Sequence, residues 1–421
     1  MPKRSHDNRK HGALGCLLFL CFAPALAGEP GQAASPRAWI RPSLVNLKPQ
    51  QEQRFQVTAL MLRLDEARVL EPLRWCVNGV PGGSAEFGTI SRDGVYRAPA
   101  AVPSPREVRI SAEVQGVGNR YLWATVILGE GPPTYTFLRR WSDPAGGSGR
   151  MVAPHGITIG NGGEILLIDR GANRVFRYSN TGEYRGELGD GPDPRSGLLV
   201  EPRHAAVDSK GFIHVCSGAG DGPRFSVFTP AGRFVRAFAE KGNLPGMLLR
   251  PHGAGFDSQG RLFVVDVDNY RVNVYDGAGE FLFQWGEDGL CPGQFNAAHG
   301  LVVDPSGDIF VSNYFTPVQK FTPDGHFLCA FAWGEPPDGP VHIHSIGGDP
   351  WGNVYLTVRP LPEARDRTSI VKYNNNGDFV TKWSLSSPDR LPDWVAGDAD
   401  GLVYAAYHGK TDVGVEVYRP E

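Results

Sequence analysis

His252-Gly-Ala-Gly-Phe-Asp257, Gly260-Arg-Leu-Phe-Val-Val-Asp266, Arg271-Val-Asn-Val-Tyr275 and Phe281-Leu-Phe-Gln-Trp285 follow one another in close succession. Each is a short run rich in β-branched and aromatic residues, and Gly, Asp or Asn stands between one run and the next. Four such runs joined by tight turns read as the four antiparallel strands of one small sheet. The opening run has counterparts along the chain: His155-Gly-Ile-Thr-Ile-Gly160, Arg203-His-Ala-Ala-Val-Asp208, His299-Gly-Leu-Val-Val-Asp304, His344-Ser-Ile-Gly-Gly-Asp349 and Asp393-Trp-Val-Ala-Gly-Asp398. Successive units begin roughly 45–49 residues apart, a period expected of propeller blades. The other runs recur too, as in Gly163-Glu-Ile-Leu-Leu-Ile-Asp169, Gly307-Asp-Ile-Phe-Val-Ser-Asn313 and Phe379-Val-Thr-Lys-Trp383.

The ends of the repeat predict how it closes. The last unit stops at its third strand, Val415-Glu-Val-Tyr418, and a lone fourth-strand pattern, Tyr135-Thr-Phe-Leu-Arg-Arg-Trp141, precedes the first unit. Strand 134–141 is therefore expected to complete the last blade, hiding two edges that would otherwise invite aggregation.

The units resemble NHL repeats. Asp169, Asn173-Arg174-Val175 and Asp266, Asn269-Tyr-Arg271-Val272 carry the likeness best, and it spans residues 134–421, with the second, fifth and sixth units degenerate. The resemblance implies an all-β fold with a six-bladed β-propeller over 134–421. Ahead of it, residues 37–129 read as further short strands: Phe55–Leu62, Arg74–Val77, Glu86–Ile90, Val108–Val114 and Tyr121–Leu128. Trp75-Cys-Val-Asn-Gly-Val-Pro-Gly-Gly83 and Gly88-Thr-Ile-Ser-Arg-Asp-Gly-Val-Tyr96 resemble bacterial immunoglobulin-like domains, implying a small β-sandwich with Trp75 in its core and a spacer or docking role.

Residues 1–27 read differently. Lys3, Arg4, Arg9 and Lys10 precede an apolar stretch from Ala13 to Ala27 that ends Ala25-Leu26-Ala27, the layout of a signal peptide. An exported protein, periplasmic or extracellular, is expected. No later run is long and apolar enough for a membrane span. The formal net charge of −3 becomes more negative without that basic leader, which argues against a nucleic-acid partner. Cys76, Cys216, Cys291 and Cys329 show no metal-type spacing and are expected as small apolar core residues.

Nine histidines follow residue 27, all within the repeat region. Four of them, His155, His252, His299 and His344, begin the first strand of their unit, where random placement predicts fewer than one. Arg203 and Asp393 fill the other two slots. In a propeller the first strand lines the central channel, so these six form one ring at its mouth. Imidazoles suit zinc, copper or iron. His155, His252 and His344, from alternate blades, approach the axis together and leave positions open, with His299 as a fourth ligand or proton acceptor. A second ring of loop residues supplies Arg170, Tyr314, Arg359 and His408, which with Arg203 and Asp393 are candidates for holding an anionic ligand. Asp169 and Asp266 read as turn holders.

Two functions follow from the resemblance. One is an exported NHL-propeller binding protein taking a protein, peptide or glycan ligand on its loop-covered face, its histidine-lined mouth holding a metal or small ligand. The other is a metal-dependent lyase or hydrolase similar to peptidyl-hydroxyglycine lyase, a propeller with zinc on three channel histidines. The arginine that class requires would fall at Gly218, Tyr314 or His408, so an identical lyase is not expected. Zinc or another transition metal is the implied cofactor; otherwise there is none.

Overall fold

The computed structural model describes residues 37–60, 67–115, 121–142, 151–188, 199–220, 224–314, 317–332, 341–360 and 368–421. The expected signal peptide lies outside them. The described chain is all-β, its helix limited to two short 3₁₀ turns at Asn161–Gly163 and Val267–Asn269. No helix among the described residues is long and apolar enough to cross a membrane.

Residues 135–421 form six four-stranded sheets, five of them built from strands consecutive in sequence. Their first strands are Pro154–Ile159, Pro202–Val207, Pro251–Phe256, Ala298–Val303, Val341–Gly348 and Arg390–Gly397. Each packs beside the first strand of the next sheet, and the sixth packs against the first. In the sixth sheet the fourth strand is Tyr135–Trp141, antiparallel to Val413–Pro420, so the two ends of this region share one ladder. Tyr135 stacks on Trp383 at 4.1 Å, and Trp141 packs against Tyr178 and Tyr404.

Burial follows position in the sheet. Second strands such as Ile165–Asp169 and Leu262–Asp266 are buried along their whole length, being covered on both faces, and so read as unbroken apolar runs. Fourth strands such as Phe281–Trp285 alternate half-buried and exposed because they lie outermost. The side chains between neighbouring sheets form shared cores; Phe263 and Val265 pack with Leu301 and Val311 of the next sheet.

The recurring aspartates are turn holders. Asp257 accepts from the backbone N–H groups of Gln259 and Arg261, and Asp304, Asp349 and Asp398 repeat the pattern in their own hairpins. Asp169 and Asp266 accept from backbone N–H groups of the strand entry, Val152 and Ala153 in one case and Leu249 and Arg250 in the other.

Residues 37–128 form three small sheets around one core that includes Trp75, Val77, Ile110 and Val126. Strands Arg37–Arg41, Leu44–Leu47, Glu52–Arg54, Ala67–Leu70 and Val95–Arg97 add to those expected. This region is pinned to the repeats by ion pairs withdrawn from water: Arg37 to Asp308 at 2.6 Å and Glu107 to Lys372 at 2.5 Å. Charges buried this way stabilise only when well paired, so they act mainly to set register between the two parts. Among the described residues the four cysteines are free, and of these only Cys216 is fully buried; Cys291 is exposed, because its loop lies outside the sheet cores.

Candidate functional site

The ring slots are shaped by backbone irregularity. In five of the six sheets the ladder between first and second strands skips one residue, and that residue is His155, Arg203, His299, His344 or Asp393. In the third sheet the gap covers His252 and Gly253. A β-bulge leaves its extra residue unpaired and re-aims its side chain. Here it turns these side chains from the sheet faces toward the centre where the first strands meet. The glycine after the histidine has its own reason. A Cβ on Gly253 would lie 2.4 Å from the backbone nitrogen of Leu301, so only glycine permits that close approach of neighbouring first strands.

The histidines converge, though not as the alternate-blade trio. His155, His252 and His299 place their ligand atoms within 4.8 Å of one another. Ring centroids are 5.1 Å apart for His155 and His252, 4.0 Å for His252 and His299, and 5.8 Å for His155 and His299. His344 stands one place further round, 5.5 Å from His299. Asp393 holds it there: His344 Nδ1–H donates to the Asp393 carbonyl at 3.1 Å, and its Nε2 lies 3.8 Å from the Asp393 carboxylate.

His155 is oriented in the way a metal-binding imidazole usually is. Its Nδ1–H donates to the Arg203 carbonyl at 3.2 Å, which leaves the Nε2 lone pair for a ligand bond. The Nδ1 atoms of His252 and His299 are buried with no hydrogen-bond partner. Burial is the main cause that pushes His155 down to about 3 and holds His252 and His299 well below their ordinary value. All three are therefore neutral at physiological pH, the form a metal requires.

An aromatic floor lies under the group. Trp394 is buried, with ring centroids 5.0 Å from His204, 5.8 Å from His155 and 5.9 Å from His299. Trp394 and His204 both follow the ring slot directly, where the other sheets have Gly156, Gly253, Gly300 and Ser345. Two large residues in a column of small ones were a signal of central packing that motif reading passed over. On the far side of this floor a cavity of about 880 Å³ opens between the turns that carry Asp208, Asp257, Asp304 and Asp398.

The candidate ligand residues divide into two groups. Asp393 gathers His344, Arg359 and His408: His408 Nδ1–H donates to its carboxylate, and an Arg359 Nη atom lies 3.9 Å away. Tyr314 covers the histidines, 4.5 Å from His299 and 4.6 Å from His342, a residue outside the sequence-derived candidate set. Arg203 is tied to Glu201 at 2.7 Å, and Arg170 is exposed, its charge felt by Arg203. These two are not drawn into the Asp393 group.

Buried neutral histidines make folding sensitive to acid. Burial also lowers His204 and His214 to about 4. Unfolded, these residues take up a proton near pH 6.5; folded, they do not until the pH is far lower. Stability present above about pH 6.5 is therefore lost as pH falls, at on the order of 1.4 kcal/mol per pH unit for each such histidine. The metal-free protein is expected to melt at a steadily falling temperature from pH 7 to pH 5, measured by calorimetry in EDTA. A flat profile would contradict neutral burial.

No family model matches the chain. It is 26% identical over 124 residues to the Drosophila melanogaster protein named Protein brain tumor, a match that covers 30% of this chain and only 11% of that protein's length. Among solved structures, a protein of unknown function from Bacteroides thetaiotaomicron is similar with a TM-score of 0.51 and 14% identity, over 93% of this chain and 99% of the other. The gluconolactonase XC5397 from Xanthomonas campestris gives 0.49 and 12%, over 69% of this chain and 96% of the other. Virginiamycin B lyase from Staphylococcus aureus gives 0.45 and 14%, over 68% and 89%. The likeness at a TM-score of 0.51 shows the fold alone: the chain is all-β and propeller-like, with NHL-like repeats.

Proposed function

We propose that the protein is an exported six-bladed NHL propeller, closed by strand 134–141 and carrying an immunoglobulin-like sandwich over 37–129 as a docking module. Its central mouth binds a transition-metal ion on His155, His252 and His299 and takes an anionic ligand from a protein, peptide or glycan above it. The observation that carries this reading is the grouping of three buried imidazoles with ligand atoms within 4.8 Å of one another.

His155, His252 and His299 would hold the ion, and three imidazoles suit zinc, copper or iron. Bound there, it supplies Lewis-acid polarisation and a water of lowered pKa. Trp394 excludes solvent from below. Tyr314 covers His299 from above, and an Arg359 Nη atom stands 3.9 Å from the Asp393 carboxylate. Asp393 orients His344 through its backbone carbonyl and His408 through its carboxylate. That Asp393–His408 pair favours the second reading, a metal-dependent lyase or hydrolase, since an oriented imidazole can accept and return a proton.

Protein purified without a polyhistidine tag and analysed for metals tests the proposal. One zinc, iron or copper per chain, with an absorption-edge spectrum of nitrogen ligation, is the expected result. No stoichiometric metal after incubation with each of these ions would overturn it.

A further inference from the structure

The cavity of about 880 Å³ beyond the Trp394–His204 floor has a wall of one kind and a rim of another. Its wall is formed by the later halves of the first strands. Ile159, Val207, Phe256 and Val303 line it and are only half-buried, so apolar surface stays uncovered there. Its rim is made by the turns that follow, which carry Asp208, Asp257, Asp304, Asp349, Asp398 and Asp400. No lysine or arginine lines the cavity among the described residues. Charges of one sign over low-dielectric walls concentrate their field inside a cleft.

These carboxylates are not equivalent. Five of them hold a turn, each spending one oxygen on backbone N–H groups, so the difference lies in the partner of the second oxygen. Asp257 is paired with Arg261 at 2.7 Å, Asp304 has Lys320 at 3.9 Å, and Asp349 lies in the field of Lys372. Asp208 has His214 at 3.7 Å, an imidazole that burial keeps neutral by lowering it to about 4. Asp398 has the Tyr404 hydroxyl at 2.9 Å. Asp400 is exposed, and its carboxylate bonds to no described residue. Burial raises Asp398, and the charge of Asp400 beside it adds to the rise.

The unbalanced charge is gathered on one side of the rim. Asp208 belongs to the second sheet, Asp398 and Asp400 to the sixth, and the first sheet stands between them. There Gly160 occupies the aspartate's place: its N–H donates to the Glu164 carbonyl as that of Asp208 does to Phe212 and that of Asp257 to Arg261. The run Gly160-Asn161-Gly162-Gly163 sets no charge and little side-chain bulk between the flanking carboxylates. The rim therefore has a neutral gap flanked by three carboxylates without a cation, and the gap runs into the apolar wall at Ile159 and Val207.

We propose that this cavity binds a small organic cation with an apolar tail, an alkylammonium, its head in the gap between Asp208 and the Asp398–Asp400 pair and its tail against Ile159, Val207, Phe256 and Val303. The head makes charge-assisted hydrogen bonds to the carboxylates, and the tail covers the apolar surface. The site lies beyond Trp394 from His155, His252 and His299, and it stands whether or not they hold metal.

The test uses the full chain in EDTA, titrated by calorimetry with hexylammonium as the probe and with hexanol and hexanoate as its neutral and anionic counterparts. Saturable one-site binding of hexylammonium is expected, at least tenfold tighter than hexanol, with no uptake of hexanoate. Butylammonium, shorter by two methylenes, should bind about tenfold more weakly. Gly160→Lys puts an ammonium in the gap and should weaken hexylammonium at least tenfold while near-ultraviolet circular dichroism stays native. The backbone there is extended, with φ −85° and ψ 179°, and an added Cβ comes no closer than 3.6 Å to a neighbour, so the side chain is accommodated. Should that variant fail to fold, Asp400→Asn, a change at an exposed side chain, replaces it, with an expected loss of at least threefold. Absence of hexylammonium binding up to about 50 mM, equal binding of hexanol, hexanoate or butylammonium, or full affinity in the folded variant would each overturn the proposal.

Discussion

His252→Leu is expected to cost about 100-fold or more in zinc affinity while the metal-free protein melts no lower than the unaltered one. The two results come from one observation. Without metal, His252 is fully buried and its Nδ1 has no partner. An unsatisfied buried polar atom costs about 1–3 kcal/mol, and leucine, close in size, removes that cost. In a protein of this size each kcal/mol moves the melting temperature by about 2 °C, so a rise of that order is within reach. A histidine kept for packing alone would behave in the opposite way, with the substitution lowering the melting temperature and leaving metal uptake as it was. Zinc titration calorimetry paired with melting in EDTA separates the outcomes. Holding a stability cost at the centre of the fold is what a site does when an absent ligand is meant to complete it.

Deleting residues 135–141 is expected to abolish cooperative unfolding. This strand pairs with Val413–Pro420 along its length and brings Tyr135 onto Trp383 and Trp141 onto Tyr178. Tyr135 also accepts from Lys372 Nζ at 3.1 Å, so its loss disturbs the Glu107–Lys372 pair as well. The deletion would bare an eight-residue strand, and an unpaired edge of that length recruits other chains. Light scattering should report oligomers, and calorimetry a broad or missing transition. A soluble deletion protein melting within a few degrees of the parent would show that the sixth sheet holds without its fourth strand.

The repeats were legible because each sheet solves one packing problem with one pattern: an apolar second strand covered on both faces, a hairpin held by an aspartate, an alternating outer strand. The N-terminal region was harder. Arg37–Arg41 and Glu52–Arg54 are short and mix charge with apolar residues, so their burial depends on partners far along the chain, such as Asp308 for Arg37. Of the central residues, the four histidines and Asp393 stood out by their repeated slot. Trp394 did not, although its position among glycines and a serine marked it.

Sequence alone determined the all-β repeat, its period and the slot that holds His155, His252, His299 and His344, because local alternation and turn chemistry are encoded residue by residue. Which of those histidines meet was decided only in three dimensions. The bulges, the Asp393 carbonyl that holds His344 aside, and the Trp394–His204 floor all arise from contacts between sheets. Such contacts join residues that no periodic pattern relates, so the composition of a central site emerges from packing.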